Sequence, residues 1–343
     1  MTALASLIFL PMLGGQGAPP ITLKLEKLAP ELRPLAMVAA PTGTRVLLTL
    51  EDKSVRIIDA ATRMTVRKLT SHPDFPYAAA WSQDGKRVAV GDDSARIYIE
   101  DPATGVKIRE YRTHKRGIQK LSFSQSGNLL LSTGNDDSMN IYDLASIEVE
   151  ELQNILGKGA NFYGGAFNPK SDTSIAVGIL GDAGRVYHAG TGQIKSFLTY
   201  AGAEGSYDVS FNPNGTRMAT AGRDGTASVW DTKNNKKIAT LMGHKDWVVK
   251  TLYSANGRLL ATSSNDLTVK VWDTLTYKKV ADIPLQSGVG SPMAFTADGR
   301  FFLAVDQSGA LQVFKITPPQ PTVKAVTKAK STPKKKRRKR TPR

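Results

Sequence analysis

Short apolar stretches alternate with polar turns along most of the chain. Arg258–Ser263 reads RLLATS, a polar turn follows, and Thr268–Asp273 reads TVKVWD, with an apolar side chain at nearly every second position. Alternation with a period of two is typical of a half-buried β-strand, and Asn-Gly or Asp-Gly pairs supply the positive φ angles that a tight hairpin turn needs. The pattern predicts an all-β chain of short strands joined by tight turns.

One sequence motif recurs at nearly constant spacing: an aromatic residue, a few small polar residues, a glycine and an apolar run. It reads WSQDG, FSQSG, FNPNG, YSANG and FTADG, with a variant FNPKS, and its aromatic residues are Trp81, Phe123, Phe167, Phe211, Tyr253 and Phe295. These positions are 42, 44, 44, 42 and 42 residues apart, and one further step back reaches AAPTG at Ala39. A period near 42 with four strands per unit is typical of a propeller blade. The seven units predict a seven-bladed β-propeller with four-stranded blades.

The units resemble WD repeats over about residues 21–317. Two units carry the signature dipeptide, at Trp230-Asp231 and Trp272-Asp273, and Tyr142-Asp143 is a near match. At the same position the second unit has Glu100-Asp101, which retains only the Asp of the signature. The fourth unit has Tyr187-His188, which retains neither residue. The resemblance implies a propeller that holds other molecules together and does not transform them.

The resemblance also implies a buried hydrogen-bond chain in the units that match best. Its members are Trp, Ser or Thr, His and Asp, in that order. In the sixth unit they are Trp272, Thr262, His244 and Asp266, and in the third they are Ser132, His114 and Asp136, with Tyr142 in place of Trp. We interpret both histidines as structural, because a carboxylate fixes the tautomer of its imidazole partner and such a chain joins neighbouring strands.

The partner-binding face follows from the same resemblance. In WD-repeat proteins the third residue after the His position is a frequent contact point on the top face around the channel. At the spacing of the repeat this position holds Arg33, Phe75, Gly117, Asn161, Gly205, Trp247 and Val289, with a polar rim of Lys115, Arg116, Asp246, Tyr163 and Tyr207. Exposed aromatic residues and arginines are typical interface hot spots. The alternative for Trp247 is that it packs on its own blade.

The seventh unit lacks a fourth strand, because the pattern ends at the PPQP that follows Ile316. Ile21–Leu28 (ITLKLEKL) has the missing alternation. Closing a sheet removes an edge that would otherwise pair with other chains. We therefore expect the N-terminal strand to complete the last blade and close the ring.

The two ends of the chain divide it into a leader at residues 1–17, a propeller domain at 18–317 and a basic tail at 318–343. Residues 3–13 form an apolar stretch that suits a secretory signal peptide and is too short to span a bilayer, so we expect no transmembrane segment. The prediction is an exported protein. The alternative is an unstructured N-terminus on a cytoplasmic or nuclear protein.

Most of the net charge of +16 lies in the tail. From Pro318 to Arg343 there are eleven Lys or Arg and no Asp or Glu, and the rest of the chain holds 35 basic and 30 acidic residues. A polar, basic segment of this kind is expected to be disordered and to bind polyanions by counterion release, whether nucleic acid, anionic lipid or cell-envelope polymer. The predicted contacts are Lys334, Lys335, Lys336, Arg337, Arg338, Lys339 and Arg340. The alternatives are a nuclear import signal and a solubilising tail.

Signatures of catalysis are missing from the sequence. There is no cysteine, no phosphate-binding GxxxxGK[ST], no GxSxG and no HExxH, so we expect no cofactor and no metal site. The hypothesis is a monomeric, non-catalytic scaffold that binds a protein or peptide through its top face. The alternatives are an enzyme or small-molecule sensor that uses the central channel, and a nucleic-acid-associated protein that binds through its tail.

Overall fold

The computed structural model of the chain describes residues 21–29, 31–69, 72–146, 152–157, 161–199, 204–284, 292–306 and 308–317. These residues form 28 strands and no helix. The strands, in chain order, are β1 (Thr22–Ala29), β2 (Pro34–Ala39), β3 (Arg45–Leu50), β4 (Val55–Asp59), β5 (Thr65–Lys68), β6 (Pro76–Trp81), β7 (Val88–Asp92), β8 (Ile97–Glu100), β9 (Lys107–Tyr111), β10 (Ile118–Phe123), β11 (Leu129–Gly134), β12 (Ser138–Asp143), β13 (Gln153–Leu156), β14 (Phe162–Phe167), β15 (Ser174–Ile179), β16 (Asp182–His188), β17 (Ile194–Leu198), β18 (Ser206–Phe211), β19 (Arg217–Gly222), β20 (Ala227–Asp231), β21 (Lys236–Leu241), β22 (Val248–Tyr253), β23 (Leu259–Ser264), β24 (Thr268–Asp273), β25 (Lys279–Pro284), β26 (Ala294–Phe295), β27 (Phe301–Val305) and β28 (Leu311–Thr317).

The strands form seven antiparallel sheets of four, which confirms the predicted seven-bladed propeller. Blades 1 to 6 are β2–β5, β6–β9, β10–β13, β14–β17, β18–β21 and β22–β25, each in sequence order. The first strand of each blade contacts the first strands of its neighbours, so these strands surround the central channel. We call the face where the first strands begin the top face. The turns between second and third strands lie on this face too, because neighbouring strands run antiparallel.

The N-terminal strand closes the ring, as the sequence predicts. Blade 7 consists of β26, β27, β28 and β1, and β1 pairs with β28 from Thr22 opposite Thr317 to Ala29 opposite Leu311. The last blade is therefore built from both ends of the domain. Closure leaves no open edge between the first and last blades.

The apolar core lies between the blades. One buried cluster joins Leu259 and Val271 of blade 6 to Phe302 and Phe314 of blade 7, and every residue of β23 is buried. Strands that pack on both faces are buried at successive positions, and β24 is likewise buried everywhere except at the half-buried Thr268. Among the described residues, no helix is long and apolar enough to cross a lipid bilayer.

Candidate binding face and central channel

In blade 6 the predicted network residues are in hydrogen-bond contact. His244 Nδ1 lies 3.0 Å from Asp266 Oδ2, His244 Nε2 lies 2.8 Å from Thr262 Oγ1, and Trp272 Nε1 donates to Thr262 Oγ1 at 2.9 Å. An ionised carboxylate only accepts, so Nδ1 carries the imidazole proton and Nε2 accepts from the Thr262 hydroxyl. The chain therefore ties β23, β24 and the loop before β22 together.

Blade 3 holds the corresponding chain with tyrosine in place of tryptophan. His114 Nδ1 lies 3.0 Å from Asp136 Oδ1 and Nε2 lies 2.6 Å from Ser132 Oγ, which in turn is 3.2 Å from the Tyr142 hydroxyl. Tyr142 is fully buried, and its hydroxyl also lies 2.6 Å from Thr113 Oγ1. The phenol thus takes over the hydrogen bond that an indole N–H would make.

The two aspartates stay ionised and the two histidines stay neutral near neutral pH. Burial would raise the pKa of Asp266, but hydrogen bonds from Thr268, from the Lys245 backbone and from His244 lower it to about 2. The pKa of Asp136 is likewise lowered to about 2 against the effect of burial. Burial lowers the pKa values of His114 and His244, although the neighbouring carboxylates oppose that shift.

These networks also hold the loops of the top face. Asp266 Oδ2 accepts a hydrogen bond from the Lys245 backbone N–H at 2.9 Å, and Asp136 Oδ2 accepts one from the Lys115 N–H at 2.7 Å. The loops that carry the predicted rim residues Lys115, Arg116 and Asp246 are therefore anchored to the blade core. All three side chains are exposed, and Asp246 Oδ1 accepts the Trp247 backbone N–H at 2.6 Å.

Trp247 packs across a seam between two blades. Its ring is 36% exposed, the Arg223 guanidinium of blade 5 lies 4.4 Å from its centroid, and the ring of Tyr207, also in blade 5, lies 5.7 Å away. Tyr207 in turn lies 5.0 Å from Tyr163 of blade 4. These ring contacts come from the neighbouring blade, whereas the alternative in the sequence analysis had Trp247 packing on its own blade; that Trp247 binds a partner stays a prediction. We call Tyr163, Tyr207, Trp247 and Arg223 the aromatic row.

Phe75 repeats this arrangement between blades 1 and 2. It is 38% exposed, Lys53 Nζ lies 5.0 Å from its ring centroid, and the exposed Tyr77 lies 6.2 Å away. Like Arg223, Lys53 comes from the turn between the second and third strands of the preceding blade. A cation over an aromatic face stabilises both side chains.

Two of the other predicted contact positions, Asn161 and Gly117, lie at similar seams but carry less aromatic surface. Asn161 lies beside Asp137 of blade 3, with its amide nitrogen oriented to donate to Oδ1 at 2.6 Å, and a side chain at Gly117 would collide with Asp93 of blade 2. Arg33 pairs with Glu51 of its own blade at 3.6 Å. Val289 lies outside the described residues, as do the leader and the basic run Lys334–Arg340.

The sequence analysis missed His72 of blade 2, which occupies the same position as His114 and His244, nine residues before the aromatic. Its partners differ: Val90 stands where blades 3 and 6 have Ser132 and Thr262, and Asp92 Oδ2 lies 3.8 Å from Nδ1. Neither ring nitrogen has a hydrogen-bond partner among the described residues. The spacing to Trp81 could have identified this residue.

The sequence analysis also missed a charged cluster in the central channel. Lys120 Nζ of blade 3 lies 2.7 Å from Asp208 Oδ1 of blade 5, and Lys250 of blade 6 lies beside them. Burial and the positive charge of Lys120 lower the pKa of Lys250 to about 8, while Asp208 opposes this shift. The repeats of blades 3, 5 and 6 each contribute one of these charged residues, so no single repeat contains a cluster of charged side chains. All three stand three residues before the aromatic of their repeat, and this shared position is the signal.

Comparison with known proteins supports the assignment made from fold and repeats. Residues 63–99, 105–143, 194–231 and 235–273 match the family model described as WD domain, G-beta repeat. COMPASS component SWD3 of Saccharomyces cerevisiae is 24% identical over 201 residues, which is 56% of this chain and 62% of that protein. Nuclear distribution protein nudF of Aspergillus niger is 26% identical over 230 residues, 66% of this chain and 48% of that protein. WD repeat-containing protein 1 of Mus musculus is 25% identical over 168 residues, 47% of this chain and 27% of that protein.

The matches to these relatives span less than two thirds of each relative's length. Seven four-stranded blades and four matched repeats define a WD-repeat β-propeller, and the chain belongs to the WD-repeat family. Among the described residues, no group of three or more His, Cys, Asp or Glu side chains is arranged to hold a metal ion.

Proposed function

We propose that this protein is a non-catalytic scaffold that binds a protein or peptide partner through the aromatic row on its top face. The observation that carries the proposal is the stack of Tyr163, Tyr207 and Trp247 across three blades, continued by the guanidinium of Arg223. Trp, Tyr and Arg are the residue types enriched at interface hot spots. One of the relatives is named COMPASS component SWD3, and the word component fits an assembly role.

The row is held in place before a partner arrives. Asp266 anchors the loop before Trp247 through the Lys245 N–H, and the Asn265 N–H donates to the Trp247 carbonyl at 3.0 Å. A preorganised site loses little conformational entropy on binding. Asp246 and Asp224, the chain neighbours of Trp247 and Arg223, carry exposed carboxylates, so the partner segment that fits the row carries apolar or basic side chains.

The test places a photo-crosslinking amino acid at position 247 of the full chain, expressed in its native host. The matched control is the same amino acid at position 275, because Leu275 is 73% exposed in the same blade but lies on the opposite face. A partner crosslinked from 247 and not from 275 is then purified and its Kd measured.

We expect Trp247→Ala and Arg223→Ala to weaken that Kd at least about tenfold, or about 1.4 kcal/mol, and Leu275→Ala to leave it unchanged. Circular dichroism and the Tm establish that each variant is folded. Equal affinities for the wild type and both row variants would refute the proposal.

For the tail we propose anchoring to a polyanion, on the basis of its eleven basic and no acidic residues. Removal of residues 318–343 is expected to abolish binding to duplex DNA, anionic vesicles and acidic polysaccharide, whichever of these the intact protein binds. In the intact protein, the affinity for that polyanion should fall steeply as the salt concentration rises. Salt-independent binding, or binding that survives the deletion, contradicts this role.

For location we propose export, with cleavage of the leader after Gly17. Sequencing of the mature N-terminus from fractionated host cells should begin near Ala18 in an extracytoplasmic fraction. A protein that keeps Met1 in the cytosol or nucleus rules this out.

A further inference from the structure

A cleft on the face opposite the top face lies between blades 1 and 2. Arg45 and Arg67 of blade 1 line it together with Trp81 and Pro102 of blade 2, and its volume is about 230 Å³. Arg67 reaches across the seam between the blades, because its Cδ lies 4.0 Å from the place where a Cβ on Gly105 of blade 2 would stand. Both arginines are exposed, and the described lining of the cleft holds their two guanidinium groups and no carboxylate.

The Arg67 guanidinium lacks the hydrogen bonds that its counterpart in the next blade makes. Arg67 and Arg109 occupy equivalent places in β5 and β9. Arg109 Nη1 donates to the Tyr111 hydroxyl at 3.0 Å and to the Ser146 carbonyl of blade 3 at 2.9 Å. Leu69 stands in blade 1 where blade 2 has Tyr111, and no described residue forms a hydrogen bond or an ion pair with the Arg67 guanidinium.

The Arg45 guanidinium likewise lacks the ion pair that is found at the same place in blade 5. Arg45 stands opposite Asp59 in the sheet, just as Arg217 stands opposite Asp231. Arg217 Nη1 lies 2.6 Å from Asp231 Oδ2. Asp59 instead accepts the Thr44 hydroxyl at Oδ2, at 2.8 Å, and two backbone N–H groups at Oδ1. Arg45 forms no ion pair with any residue that the structure describes.

The two guanidinium groups suit a doubly charged oxyanion. Each presents a planar set of N–H donors that matches the oxygens of a phosphate, and neither has to give up a described partner in order to bind one. Trp81 donates its indole N–H to the Gly85 carbonyl at 3.3 Å, so the part of its ring that lines the cleft offers carbon surface. Together with Pro102 it gives the blade 2 side of the cleft an apolar wall.

We propose that this cleft binds a phosphate monoester whose organic group is small and apolar. Near neutral pH such a phosphate carries a charge of about −1.5 to −2, which the two guanidinium groups neutralise, whereas a carboxylate carries only a single charge. The apolar wall contacts the organic group, and a volume of about 230 Å³ admits a smaller molecule than the drug-sized ligands that occupy about 300–1,000 Å³. The cleft and the aromatic row lie on opposite faces, so the test of this site is independent of the scaffold proposal.

The test is isothermal titration of the full chain with phenyl phosphate, with inorganic phosphate and with benzoate, each as the sodium salt near neutral pH and at constant chloride. Arg45→Gln and Arg67→Gln are the decisive variants, and Arg112→Gln is the matched control because Arg112 is an exposed arginine at the top-face end of β9. All four proteins keep the basic tail, and circular dichroism establishes that each is folded. A hydrogen bond to a charged group contributes about 1.5–3 kcal/mol, so we expect each cleft variant to lose at least about tenfold in affinity for phenyl phosphate. The control should bind like the wild type.

Phenyl phosphate should bind more tightly than inorganic phosphate, which lacks the apolar group, and more tightly than benzoate, which lacks the second charge. The proposal is overturned if phenyl phosphate does not bind, if either cleft variant keeps the wild-type affinity, if Arg112→Gln loses as much affinity as they do, or if either other anion binds equally well. A short peptide that contains phosphotyrosine then separates two sources of the phosphate. Tighter binding of the peptide than of phenyl phosphate assigns a phosphorylated protein, and equal or weaker binding assigns a free compound.

Discussion

Lys120 of blade 3 and Asp208 of blade 5 form an ion pair of 2.7 Å that passes the first strand of blade 4. The pair is possible because blade 4 has glycine at the position between them. A Cβ at Gly164 would lie 2.5 Å from Asp208 Cα and 2.7 Å from the Tyr207 carbonyl oxygen. The first strands of blades 4 and 5 therefore approach each other closely beside this ion pair.

Gly164→Ala is expected to destabilise the propeller by about 2 kcal/mol or more, because backbone atoms of β18 must move to admit the methyl group. The measurement is urea denaturation followed by tryptophan fluorescence. Gly190→Ala in the same blade is the control, since its nearest neighbours would be His188 atoms at 3.5 and 3.7 Å. Equal stability of the two variants would show that β18 does not lie close enough to β14 to exclude a methyl group at position 164.

Thr262→Val removes one hydroxyl and leaves two buried groups of blade 6 without a partner, the Trp272 N–H and His244 Nε2. A buried unsatisfied polar group costs about 1–3 kcal/mol, so we expect a loss of about 2 kcal/mol in the free energy of unfolding. Thr191→Val, at an exposed turn of blade 4, should change stability by less than about 0.5 kcal/mol. A Thr262→Val protein as stable as the control would show that the chain does not stabilise the blade.

Blade 2 offers the reverse substitution. Val90→Thr places a hydroxyl where blades 3 and 6 have Ser132 and Thr262, and His72 Nε2 gains a partner that it lacks among the described residues. The same change at Val88, in the same strand, buries a hydroxyl that His72 does not meet. We expect thermal denaturation to show Val90→Thr at least about 1 kcal/mol more stable than Val88→Thr. Equal losses of stability in Val90→Thr and Val88→Thr would mean that His72 does not form a hydrogen bond with the new hydroxyl at position 90.

Acid should lower the free energy of unfolding in two pH ranges, first where the histidines titrate and then where Asp266 titrates. The pKa values of His244 and His114 lie below 6.5 in the folded state, so below pH 6.5 the unfolded chain binds protons more readily and stability falls. The pKa of Asp266 is about 2 when folded and 3.8 in the reference state, so its contribution is present above pH 3.8 and is lost as pH falls towards 2. That shift corresponds to about 2 kcal/mol.

The check on acid stability is the free energy of unfolding between pH 7 and 2 for the wild type, Asp266→Asn and Glu31→Gln. Asp266→Asn should be less stable at pH 7 and lose less between pH 4 and 2. Glu31→Gln, at an exposed position, should follow the wild type. A steep wild-type slope retained in Asp266→Asn would assign the acid sensitivity to other groups.

The sequence alone determined the blades, their number and the strand that closes the ring. Each unit of about 42 residues encodes its own turns and alternation, as in YSANG before RLLATS, and these are local features that repeat seven times. The network residues could be named for the same reason, because His244, Thr262, Asp266 and Trp272 hold fixed places within one repeat.

Only the tertiary structure decided which units act together. Lys120 and Asp208 are 88 residues apart, Lys250 belongs to a third blade, and Arg223 meets Trp247 across a seam, so no repeat by itself contains either site. Ring closure brings equivalent positions of different blades to the same level of the channel or to the same seam. A single charged or aromatic residue in each unit becomes a cluster only there, because contacts between blades depend on packing that the spacing within one repeat does not specify.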